Sequence, residues 1–188
     1  GLKLRPDDLR ARSDRAPLAA DAGDLETAMA DLDFVLERMP QDAGMRNLRG
    51  RVLATLGDAD KALADLDVAV TEEPSAPAHR YFRGVIRMQA GKMTGAADDF
   101  EAFLKLVPDG PESARVKQLE EGARYWGAHP DDLERVSKGA DALAEACSRA
   151  EKAYAVEDWG TATEEYRSGL EAIDACLAGA DAELRRRV

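Results

Sequence analysis

Aromatic residues make up only 5% of this 188-residue chain. Its core must therefore be built from small and aliphatic side chains, alanine above all, and alanine lets helices approach closely and is the best helix former. No run of about 18 apolar residues occurs, so no membrane-spanning helix is expected. There are two histidines, His79 and His129, fifty residues apart, and two cysteines, Cys147 and Cys176. Neither pair has metal-ligand spacing, so no zinc site is expected. The cysteines read as partly buried free thiols, with a disulfide between paired helices as the alternative. No Walker loop, Gly-x-Ser-x-Gly or His-x-x-x-His is present. Adjacent carboxylates such as Asp98-Asp99 and Glu164-Glu165 point to different sides of a helix and are expected to face water. With no catalytic constellation, no metal ligand and no cofactor expected, the chain reads as non-enzymatic. A net charge of −11 argues against nucleic acid as its main partner. No signal peptide is visible, but the chain opens with Gly1-Leu2-Lys3 rather than Met. The compartment is therefore not decided, with a soluble, cytoplasmic setting favoured.

What the chain does have is a period. Pro6, Pro40, Pro74 and Pro108 stand 34 residues apart, and Gly23, Gly57 and Gly91 keep that step, as do Ala28, Ala62 and Ala96. A step held by three residue types marks a repeat array. Residues 43–56 have helical apolar spacing, and Gly57-Asp58 interrupts it. Glycine suits the left-handed residue that ends one helix, and aspartate caps the next. Residues 59–72 resume the spacing until Pro74 stops it. One repeat is thus a helix, a tight turn and a second antiparallel helix. Residues 77–90 and 93–107 align as the next copy without a gap. The first copy is weaker: residues 25–39 match, but the helix before them carries Pro17, which is expected to kink or shorten it. Leu2 to Asp8 look like the tail of a further second helix, so a preceding repeat is expected upstream.

These residues resemble the tetratricopeptide repeat family. Its small residue in the first helix, glycine before the second, alanine one turn in, large apolar residue and closing proline are met by Gly50, Gly57, Ala62, Leu66 and Pro74. Gly84, Gly91, Ala96, Phe100 and Pro108 meet them again, and Ala16, Gly23, Ala28, Leu32 and Pro40 do so in the first copy. Arg12, Arg46 and Arg80 stand where the family has a large aromatic residue. The resemblance implies an all-α fold of antiparallel helix hairpins stacked in a right-handed superhelical solenoid. It also implies that the first helices line a concave groove.

The expected organisation has three parts. Residues 1–124 form the array, with 111–125 as a capping helix. Residues 125–140 form a connector around the breaker cluster Trp126 to Pro130. Residues 141–188 form a second hairpin of the same type, with Trp159, Ala162 and Tyr166 at family positions and the start of a further helix after residue 178.

Charge divides between the helices. The first helices carry Arg46, Arg49 and Arg51, then Arg80, Arg83 and Arg87, while Asp31, Asp65 and Asp99 recur on the second. A basic groove would draw an acidic peptide. The recurring Arg15, Arg49 and Arg83 against Asp31, Asp65 and Asp99 read instead as one ion pair per hairpin. The ligand candidates are therefore groove positions that vary between repeats: Arg10, Ser13, Asn47, Arg51, Tyr81, Val85, Met88 and Gln89. The clamp of lysines and asparagines with which some family members hold heat-shock chaperone tails is not reproduced, since Ser13, Pro17, Tyr81 and Val85 occupy its positions.

The resemblance implies a scaffold or adaptor whose partner is a protein or peptide segment, and the basic first helices make an acidic segment one candidate. The alternatives are a client-binding region of a DnaJ-type co-chaperone and a scaffold that self-associates through its array ends. His129-Pro130-Asp131 occurs without the flanking helices expected of a J domain.

Overall fold

The computed structural model describes residues 8–155 and 159–178, the side chains of 153–155, 159, 162, 166 and 177 excepted. Pro6, the side chains of Trp159, Ala162 and Tyr166 and the helix expected after residue 178 lie outside the described residues. Among the described residues the structure is helical with no strand: α1 (Leu9–Asp21), α2 (Leu25–Arg38), α3 (Ala43–Thr55), α4 (Ala59–Glu72), α5 (Pro77–Gln89), α6 (Met93–Leu106), α7 (Ser113–Ala128), α8 (Pro130–Ala155) and α9 (Trp159–Leu177). The chain divides into two compact units, one up to Arg124 and one from Tyr125.

In the first unit α1 pairs with α2, α3 with α4 and α5 with α6, and the first helices adjoin one another in the order α1, α3, α5. The hairpin turns follow from local chemistry. Gly23, Gly57 and Gly91 have φ of 77°, 86° and 72°, a left-handed conformation that other residues adopt at a cost. Asp24 and Asp58 then accept from the backbone N–H of Thr27 and Lys61, capping α2 and α4. Lys92 holds the same place before α6 and makes no such bond. Pro17 lies inside α1, which continues past it to Asp21.

Small residues let the paired helices meet. A Cβ built on Gly50 would lie 3.0 Å from the Ala62 carbonyl oxygen and from Leu66 Cγ. Ala16, Ala28, Leu32, Ala62, Leu66, Ala96 and Phe100 are fully buried, so the family positions are also the core. Val116 and Ala123 of α7 pack with Phe100 and Phe103, covering the apolar side of the last hairpin.

The second unit is a hairpin of α8 and α9. Gly139 faces Cys176, Gly169 faces Leu143 and Ala146, and Arg149 pairs with Glu165, a set of contacts that makes the helices antiparallel. A Cβ on Gly139 would lie 2.6 Å from Cys176 Sγ, so this glycine serves a close helix contact. α8 runs unbroken from Pro130 to Ala155, where the sequence reading started a separate helix at 141. Both cysteines are free.

Candidate groove site on the first helices

The charged residues of the hairpins are largely committed to each other. Asp31, Asp65 and Asp99 are buried in the apolar interior. Arg15 donates to Asp31 at 2.6 Å, Arg49 to Asp65 at 2.7 Å and Arg83 to Asp99 at 2.5 Å, one pair within each hairpin as the recurrence predicted. A second arginine completes each site: Arg12 for Asp31, Arg46 for Asp65 and Arg87 for Asp99. These hydrogen bonds, led by that from Arg15, hold the Asp31 carboxyl below its ordinary pKa despite its burial. Arg49 and Arg83 also reach back to the preceding hairpin, bonding Asp33 at 2.8 Å and Asp67 at 2.7 Å. The bonds to Asp65 and Asp33 raise the Arg49 pKa further. Arg46 and Arg80 use the space where the family has an aromatic ring to donate to the carbonyls of Pro40 and Pro74. Most of the basic charge expected to line the groove is therefore held in internal pairs.

The candidate residues fall into three groups. Arg10, Arg51 and Gln89 are exposed. Arg51 lies over the Phe82 ring, 4.4 Å from its centroid, and forms no ion pair among the described residues. Tyr81, Val85 and Met88 are half-buried against the core of the third hairpin. Ser13 and Asn47 are engaged: Ser13 Oγ donates to the Leu9 carbonyl at 2.9 Å, and Asn47 is buried with its amide nitrogen 3.0 Å from His79 Nδ1. Asn47 acts as a donor there, which leaves the His79 proton on Nε2, 3.3 Å from Glu73. Asn47 thus joins α3 to α5 rather than lying open to a ligand.

Beside Tyr81 is a cavity of about 500 Å³. Pro77, Ala78, Tyr81 and Phe82 of α5, Phe103 of α6 and the segment Val107, Gly110, Pro111 and Glu112 line it. Its aromatic wall is internally packed, with Tyr81 centred 5.3 Å from Phe82 and 6.1 Å from Phe103. The segment from 107 to 113 is shaped by Ser113, whose hydroxyl donates to the Val107 carbonyl at 2.6 Å and accepts from Gly110 N–H at 2.9 Å. A Cβ at 110 would lie 2.5 Å from Val107 Cγ1, so any other residue there would force the Val107 side chain to move. Sequence reasoning missed Phe82, Phe103, Val107 and Glu112 as lining residues. The period offered one signal: Phe82 is in step with Leu48 and Val116, and it is the aromatic member of that set.

In the second unit the His129 ring stacks on Tyr125 with centroids 4.4 Å apart, at the start of α8. No described helix is long and apolar enough to cross a membrane.

Two family models, both described as tetratricopeptide repeat, match residues 13–77 and 53–120, together more than half of the chain. No curated protein matches the sequence. Among solved structures, the chain is similar to the TPR2B domain of yeast Sti1 in complex with pHsp70 (18% identity, 62% of this chain and 96% of that chain, TM-score 0.58). It is similar to the type III secretion chaperone SycD of Yersinia enterocolitica in complex with a peptide of the translocator YopD (17% identity, 65% and 97%, TM-score 0.58). It is also similar to MamA (14% identity, 93% and 83%, TM-score 0.59). Identities this low carry the fold alone.

Proposed function

Because the chain belongs to the tetratricopeptide repeat family, we propose that it is a non-enzymatic scaffold that grips a segment of a partner protein along α1, α3 and α5. The observation that carries this reading is the cavity beside Tyr81. It is apolar, bordered by half-buried aromatic rings, and of a size that holds a ligand's side chains. Two of the similar structures contain a bound partner, pHsp70 with Sti1 and the YopD peptide with SycD, which supports peptide capture as a use of this fold. In this role Tyr81, Val85 and Met88 supply apolar contact, and Arg10, Arg51 and Gln89 supply polar contact at the rim. Asn47 and Ser13 hold the first helices in shape.

Binding of fluorescein-labelled peptides carrying a large apolar residue, followed by anisotropy, tests the reading. Tyr81→Ala and Phe82→Ala are expected to weaken binding about tenfold or more, as central aromatic anchors do. Equal affinity in both variants and the parent protein would remove the cavity from the binding site.

A further inference from the structure

The cavity has one charged side chain on its wall, Glu112, and one uncommitted cation against its lining, Arg51 on Phe82. Of the other arginines nearby, Arg46 and Arg49 are held by Asp65, Arg83 and Arg87 by Asp99, and Arg80 donates to the Pro74 carbonyl. Arg51 and Glu112 are exposed, and neither has an ion-pair partner among the described residues. Arg51 belongs to α3, which adjoins α5, and Glu112 to the segment that leads into α7. Phe82 touches the guanidinium and lines the same cavity as Glu112.

We propose that the ligand of this site is a protein segment with a large apolar residue flanked by an acidic residue on one side and a basic residue on the other. The inference rests on the groove reading above and gives it a charge pattern. The apolar residue fills the cavity against Tyr81 and Phe103. Its acidic neighbour meets Arg51 and its basic neighbour meets Glu112. A uniformly acidic segment, as overall charge division between the helices would suggest, places one carboxylate against Glu112, and that like-charge contact selects against it.

The test uses the full chain and four labelled peptides sharing one phenylalanine: acid before and base after, the reverse order, neutral flanks, and acid on both sides. One of the two mixed peptides is expected to bind on the order of 3- to 10-fold tighter than the neutral one, a gain that shrinks with added salt. The doubly acidic peptide is expected to bind no tighter than the neutral one. Arg51→Gln removes the gain from the acidic flank, Glu112→Gln removes that from the basic flank, and Glu112→Lys makes the doubly acidic peptide the tightest. Circular dichroism checks that each variant keeps its helices. Equal binding of all four peptides overturns the charge pattern and leaves the apolar groove standing. Tightest binding of the doubly acidic peptide to the parent protein also overturns it. Failure of every peptide, the neutral one included, overturns the groove reading beneath it. Failure of every peptide together with concentration-dependent self-association in sedimentation gives the cavity to a second copy and overturns the proposal as well.

Discussion

A methyl group on Gly84 would sit 2.8 Å from Cε1 of Phe100, a ring with no solvent exposure. The same two positions hold Ala16 with Leu32 in the first hairpin and Gly50 with Leu66 in the second. The first hairpin accommodates a Cβ beside its leucine, the second would hold one at 3.0 Å from Leu66 Cγ, and the phenylalanine of the third leaves the least room.

Gly84→Ala is therefore expected to destabilise the array. The helix-propensity gain of about 1 kcal/mol is outweighed by overpacking of about 1–3 kcal/mol. Adding Phe100→Leu recreates the pairing of the first hairpin and should recover much of the loss. Urea denaturation of the single and double variants measures both.

Arg49 and Arg83 each link a buried aspartate to an exposed one, and removal of the two kinds should differ in cost. Asp65→Ala leaves Arg46 and Arg49 without their shared acceptor inside the hairpin and should cost about 3 kcal/mol or more. Asp67 is more than half exposed, and Asp67→Ala should cost about 1 kcal/mol or less. A similar cost for both in denaturation would contradict the division into buried pairs and surface bridges.

Acid should loosen the first hairpin in a defined direction. The Asp31 carboxyl titrates lower in the folded protein than in the unfolded chain, where the value is about 3.9. Its contribution is thus complete above the unfolded value and is lost as pH falls through the folded one. Thermal melts between about pH 5 and about pH 2 should show a steeper fall in Tm for the parent protein than for Asp31→Asn. Parallel curves would show that the pair with Arg15 does not contribute.

Helix α6 offers a stabilising change. Lys92→Asp places a carboxylate where Asp24 and Asp58 cap their helices, within reach of the Gly95 N–H. It gives up an exposed pair with Asp60 at 3.5 Å. A net gain of about 1 kcal/mol in denaturation is expected.

The hairpins, their turns and the internal pairs of Arg15, Arg49 and Arg83 were legible in the sequence because each recurs in step, and recurrence reports contacts made within every copy. Contacts that occur once were not. Asn47 and His79 come from different positions in successive repeats, so their bond has no periodic trace. Besides α5, the cavity draws on Phe103 and Val107 and on residues 110–112, which lie beyond the last closing proline, where the period ends. The connector expected over 125–140 is instead largely the first part of α8, where Gly139 serves a close approach to Cys176.

Each buried aspartate takes its two arginines from its own hairpin, and the aspartates reached from the next hairpin among the described residues, Asp33, Asp60 and Asp67, are exposed. Excising one 34-residue step from the gene would therefore remove an interior anion together with both of its cations. Lengthening the array by duplication would bring in all three at once. Every buried carboxylate that remains keeps the guanidinium groups that satisfy it under either event, so a lineage can change the number of hairpins without first evolving a compensating substitution.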